Sequence, residues 1–217
     1  VTVSKLTLYN GALLECGERA LASLSENIEA RRLLDRAWES SDGAINYCLG
    51  QGQWKFALRS LELASSVSVT PAFGYQKAFA IPNDHIRTVK LCGDEYMNVP
   101  LLQYSTEQSY IFADVDPIYM SYVSNDASYG ADYSLWPDDF TRYVELYLAT
   151  KIAKKLIQSD EDRKTLFALA KKALVDARSS SAMEGATAFP PPGTWTSARI
   201  GRTAGRRDRG SRSSLVG

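Results

Sequence analysis

The hydrophobic and polar positions of this chain change their period three times. In KLTLYNGALLECG, Leu6, Tyr9, Leu13 and Cys16 recur at helical spacing and share one face, and Gly17 is a natural stop. After the more polar ERALASLSEN, the run IEARRLLDRAWESSDGAINYCLG places Ala30, Leu34, Ala37, Trp38, Ile45 and Leu49 on one stripe. This predicts a second helix ending at Gly50, with Ser25 or Asn27 able to cap its front. From Trp54 to about Tyr133 the texture turns to Val, Tyr, Phe, Ser and Thr in short alternations broken by Pro and Gly. LELASSVSV, YQKAFAIP, IRTVKLCG, VPLLQY, SYIFAD and IYMSYVS read as short strands, with turns at CGDEY and ADVDP.

The helical period returns at SLWPDDF. Pro137 suits a first helical position, and Asp138 and Asp139 suit the positive end of the helix dipole. Phe140, Val144, Leu148, Ile152 and Leu156 follow at every fourth residue as one apolar stripe, with Lys151, Lys154 and Lys155 toward the other end. In QSDEDR, Ser159 can cap a further helix with Asp162 in a box-like role. Leu166, Ala170, Ala173 and Ala177 then form a narrow face of small residues, predicted to pack closely on another helix. Beyond Gly185, three consecutive prolines favour extended chain, and the following Gly, Ser and Arg cannot bury enough apolar surface to fold alone.

The pattern predicts an α+β protein: a bundle of about four helices with an inserted β-rich domain and an extended C-terminal arm. Its parts are a helical pair over 1–53, the β-rich insertion over 54–133, a second helical pair over 134–185 and the arm over 186–217. A composition of 45% hydrophobic and 23% charged residues in 217 fits a soluble globular chain with a real core. Formal net charge is zero, but it is unevenly placed. The stretch ARIGRTAGRRDRGSRS carries Arg199, Arg202, Arg206, Arg207, Arg209 and Arg212 against the single acid Asp208, which leaves 19 basic and 24 acidic residues elsewhere. A mildly acidic body with a basic arm can self-associate as readily as it can bind phosphate. Cys16, Cys48 and Cys92 are far apart and unpaired by spacing, and the first two fall on apolar helix faces, which suggests free thiols in a reducing compartment. Neither a signal-peptide pattern nor an apolar run of membrane-spanning length occurs, so no membrane is expected.

Candidate chemistry changes this picture little. The one histidine, His85 in IPNDHIRT, reads as a turn residue, and no Cys or His spacing suits zinc. No G-x-S-x-G or S-x-x-K motif occurs, and GRTAGRRDRG lacks the ending and flanking elements of a phosphate loop. Asp138 and Asp139 are explained as helix-start acids, and Asp114 and Asp116 as a solvated turn. The expectation is a non-enzyme without metal or cofactor. Nucleic acid is the rival: the arm could neutralise phosphates, and Tyr104, Tyr110, Tyr119, Tyr122, Tyr129 and Tyr133 could stack on bases. More often such tyrosines belong to half-buried strands or protein interfaces.

The order of elements resembles that of bacteriophage head-to-tail adaptor (connector) proteins, the group that includes tail tubular protein A. The first helix ends in Leu-x-x-x-Gly, here Leu13 to Gly17, and a Gly-x-Trp-x-Phe motif follows at Gly52, Trp54 and Phe56, then Ala57. The middle has Ile81, Pro82, Asp84 and Arg87 where the family has a Pro-x-Asp turn and a strand beginning with Arg. Last comes Trp-Pro-x-x-Phe at Trp136, Pro137 and Phe140, then Leu148, Ala149, Ile152 and Ala153. The resemblance covers about residues 5 to 180 and rests on order and spacing, because each motif alone is degenerate. It implies a non-catalytic virion protein, present in the host cytoplasm during assembly. Its partners would be copies of itself in a ring, typically a dodecamer, the portal protein, a tail or nozzle protein, and genomic DNA passing through the channel without sequence-specific recognition. The arm lies outside the match. From its own residues, Trp195 is a candidate anchor in a neighbour's pocket, and its arginines are candidates for bidentate pairs with carboxylates. The alternatives are a DNA-binding or packaging-associated virion protein using the arm, and an enzyme with a carboxylate site at Asp114 and Asp116.

Overall fold

The structure is a computed structural model that describes residues 3–39, 43–66, 69, 71, 73–157 and 159–185. It is α+β, and everything described falls within one unit, residues 1–185. The first helix, α1 (Lys5–Glu15), opens on a reciprocal cap: Ser4 Oγ accepts from the Thr7 amide at 3.2 Å, and the Ser4 amide donates to Thr7 Oγ1 at 2.6 Å. It ends at the expected place, where Gly17 adopts φ +72° and the Glu18 amide returns to the Leu13 carbonyl at 2.9 Å.

The helix expected through Gly50 is two helices. α2 (Glu29–Trp38) and α3 (Ala44–Gly50) are separated at Gly43, whose φ of +53° breaks the helical path. Neither Ser25 nor Asn27 caps α2: its N-cap is Ile28, which makes no side-chain cap bond. Among the described residues, five α-helices therefore stand where the pattern predicted about four.

The remaining two helices are α4 (Asp138–Leu156), preceded by Pro137 as its N-cap, and α5 (Asp160–Met183). Ser159 caps α5 by accepting from the Asp162 amide at 3.3 Å, as expected. All four other helices pack against α4. This central position explains why α4 buries more than one stripe: Phe140, Val144, Leu148 and Ile152 are joined in the core by Tyr143, Leu146, Ala149 and Ala153. The small face of α5, Leu166, Ala170, Ala173 and Ala177, is buried, and α4 is the helix that it packs on.

Between α3 and α4 lie two three-stranded antiparallel sheets. The first has the order β1 (Leu58–Leu63), β6 (Ile118–Ser124), β3 (His85–Cys92), and the second β2 (Lys77–Ala80), β5 (Tyr110–Ala113), β4 (Ser105–Glu107). VPLLQY is not a strand. It makes a single bridge, Cys92 with Pro100, and the ring of Pro100 removes the donor that a ladder needs.

Strand β6 joins two hydrophobic clusters through its two faces. Ile118, Met120 and Tyr122 point to one side, onto Phe79, Ile111 and Ala113 of the second sheet. Val123, one residue out of phase, enters the helical core with Leu49, Trp54 and Phe140.

Candidate functional site

The residues singled out by the sequence motifs gather where helices meet sheets. Trp54 is 1% exposed, and its indole N–H donates to the carbonyls of Cys48 (3.1 Å) and Leu49 (2.9 Å), so the chain leaving α3 is stapled to the helix end. Phe140 lies 4.7 Å from Trp54, 4.8 Å from Phe56 and 4.8 Å from Trp136, all between ring centroids. Trp136 donates to the Gly130 carbonyl at 2.9 Å, which ties the approach to α4 into the same knot. Edge-to-face and tilted rings at these separations add to the burial term.

The second half of the junction is polar and centres on Asp84. Its carboxylate accepts from Tyr122 Oη (3.0 Å to either oxygen), Ser124 Oγ (2.5 Å) and Arg59 (2.9 Å), with the side chain 18% exposed. The Arg59 guanidinium also lies over the Tyr129 ring at 5.4 Å. Burial works against the charged form of Asp84, but the bonds from Ser124, Arg59 and Tyr122 together hold it below the usual carboxylate range. The Tyr122 phenol is pushed up to about 12, by burial and then by its bond to Asp84. Arg87 completes the seam by donating to the Gly50 carbonyl at 3.1 Å. The Asp84 bonds thus tie β1, β6 and the turn before β3 to one another, and Arg87 ties β3 to the end of α3.

Other polar groups singled out by sequence have structural partners. His85 opens β3, its Nε2 is 2.9 Å from Thr88 Oγ1, and burial lowers its pKa, which favours the neutral ring. Asp114 accepts from the Gln76 amide at 2.9 Å. Asp116 accepts from Ser65 Oγ at 2.7 Å and pairs with Lys77 at 3.2 Å, so the two acids tie one turn to the start of β2, and Asp116 also reaches the chain after β1. Burial pushes the Cys48 thiol up to about 12 and that of Cys16 up to about 11. Of the six tyrosines proposed for stacking, Tyr122 is buried, Tyr110, Tyr119, Tyr129 and Tyr133 are half-buried, and Tyr104 is exposed. Trp195 and Arg199, Arg202, Arg206, Arg207, Arg209 and Arg212 lie outside the described residues.

Sequence reasoning missed Glu145. Its carboxylate lies against Gly11 of α1 so closely that a Cβ there would collide with it. Burial, then the nearby Glu15, raises its pKa to about 7, with Arg142 opposing. The signal was available: a glutamate between Val144 and Leu146 in a helix that is apolar on most sides. A cleft of about 150 Å³ lies between α4 and α5, lined by Asp139, Arg142, Leu146, Leu169, Lys172, Ala173 and Asp176. It is small beside the roughly 300–1,000 Å³ of most small-molecule sites. Among the described residues, no group of three or more His, Cys, Asp or Glu is placed to hold a metal. No helix there is long and apolar enough to cross a membrane. No protein-family model and no curated protein matches this sequence.

Proposed function

We propose that this chain is a structural virion protein, a phage head-to-tail adaptor. Copies of it form a ring, typically a dodecamer, between the portal and the tail or nozzle protein, around the exit channel of the genome. What carries the reading is the convergence of the motif residues. Trp54 and Phe56 of one motif and Trp136 and Phe140 of another, far apart in sequence, form one aromatic cluster, and Asp84 and Arg87 of the third tie the first sheet together and to α3 beside it. Motifs defined only by order and spacing thus share one physical task, holding a β-module at a fixed place on a helical body. A ring subunit needs that rigidity, because a small angular error repeated around a ring prevents closure.

A second reading has its own observation, the six arginines against one acid in ARIGRTAGRRDRGSRS. It makes the chain a DNA-binding or packaging-associated virion protein. Negative-stain imaging of the full chain mixed with portal protein separates the two. An adaptor gives rings on the portal, and deletion of residues 186–217 weakens their assembly. A chain that stays monomeric with portal present, yet retards DNA with an affinity that falls steeply as salt rises, is a DNA binder instead.

A further inference from the structure

Two exposed apolar patches with opposite charge lie on different parts of the described fold. The first is at the end of the β1–β6–β3 sheet away from the helices. Gly93–Pro117 contains five acids (Asp94, Glu95, Glu107, Asp114 and Asp116) and no basic residue; Asp116 is paired with Lys77 of β2, and Glu107 belongs to β4 of the second sheet. Here Val99, Leu102 and Val115 are 61%, 84% and 41% exposed. Val115 lies against Gly93, and Asp94 closes the loop by accepting from the Asn98 and Val99 amides, so this is a built knob. Glu62 of β1, which is paired with Tyr119 in the ladder, adds charge beside it, and neither Glu62 nor Glu95 has a cationic partner among the described residues.

The second patch is the outward face of α5. Lys164, Phe167, Lys171, Val175 and Arg178 fall at i, i+3, i+7, i+11 and i+14, one stripe along the helix. Phe167 is 52% and Val175 62% exposed, and from Lys164 to Arg178 the stripe holds no carboxylate; Asp160, one turn before Lys164 on the same face, is paired with Arg163. Arg178 is engaged by the Gln51 carbonyl, whereas Lys164 and Lys171 have no acidic partner among the described residues.

We propose that the acidic knob of one copy docks on the basic stripe of α5 of the next, a head-to-tail contact between two copies of this chain. The inference rests on the adaptor reading and names the surfaces that would join its subunits. Apolar side chains are interleaved with charge on both patches, and the charges are opposite, so each patch offers what the other lacks. The patches differ, so the contact is heterologous and propagates in one direction, closing into a ring where the rotation permits. A surface that only tracked phosphate would not need Phe167 and Val175 between its lysines.

Sedimentation velocity on the full chain tests this with two charge swaps, Lys164→Glu with Lys171→Glu on the stripe, and Glu62→Lys with Glu95→Lys on the knob. Each double variant alone should self-associate about tenfold more weakly or worse. An equimolar mixture of the two should recover assembly, because every junction is then again between opposite charges. All four positions are at the surface, and helical circular dichroism verifies folding. A wild-type chain monomeric up to about 1 mM, swaps without effect, or a folded mixture that does not recover each overturns the proposal. So does loss of DNA retardation on swapping the lysines while self-association is unchanged. Portal-bound rings that survive both swaps refute this contact and leave the adaptor reading standing. Alternating assembly of the mixture without any capture by portal does the reverse.

Discussion

Asp84 and Glu145 are carboxylates at contacts between elements, and their surroundings drive them in opposite directions. Asp84 meets three donors, so its ionised form is favoured in the folded state. Its contribution to stability is present above the ordinary carboxylate value of 3.8 and is lost as pH falls through the depressed folded value. Asp84→Ala should cost about 2 kcal/mol in urea unfolding at pH 7, because it orphans Tyr122 and Ser124. Asp84→Asn should cost less, and the difference from wild type should shrink in acid. Glu145 has no such donors, and its folded pKa is raised from 4.5 to about 7. Below about 4.5 the protonated form fits both states and there is no penalty. Between about 4.5 and 7 the unfolded chain has lost this proton while the folded chain still holds it, so stability falls across that window and levels off above it. Glu145→Gln should therefore stabilise at pH 8 by about 1 kcal/mol, after allowance for solvent screening of a half-exposed group. The gain should vanish toward about pH 4.5, which denaturant melts at the two pH values would read.

At the scale of elements, several of them meet at Gly130. An added Cβ there would collide with the Ser124 carbonyl oxygen and lie 2.9 Å from Leu49 Cδ1, so β6, α3 and the approach to α4 all crowd one point. Gly130→Ala should cost about 3 kcal/mol, seen as a lowered midpoint in thermal or urea unfolding. Sequence periodicity located α1, α4, α5 and most strands because their apolar residues recur at the period that buries a face, in the helical cluster for the helices and mainly in the sheet cluster for the strands. It fused α2 with α3, since the stripe from Ala30 to Leu49 keeps its phase across a break that only Gly43 and its polar neighbours mark. It missed β4, three residues at the edge of its sheet with no buried position to mark it. The aromatic half of the junction was readable from Trp54, Phe56, Trp136 and Phe140. The polar half was not: Arg59, Tyr122 and Ser124 reach Asp84 only through strand pairing, which a single chain's pattern does not encode.

At the scale of the whole molecule, the described residues form two hydrophobic clusters that share one strand. The helical cluster extends from Leu8 to Ala177, while that of the sheets lies between Phe79 and Tyr122. Both depend on β6, through Val123 for one and Ile118, Met120 and Tyr122 for the other. The β-module is therefore not an independent appendage on the helices, and a displacement of β6 is felt in both cores at once. Such coupling suits a subunit that must present distant surfaces at a fixed angle.

The strand order also has a consequence in time. β1 and β3 do not pair with each other; each pairs with β6, the last of the six to leave the ribosome. Leu58–Leu63 and His85–Cys92 are thus synthesised before Ile118–Ser124 exists to join them. Non-local pairing of this kind is slow, and strands awaiting a partner are prone to aggregate. Anything that slows elongation ahead of Ser124 lengthens the interval in which two open edges are offered to other chains.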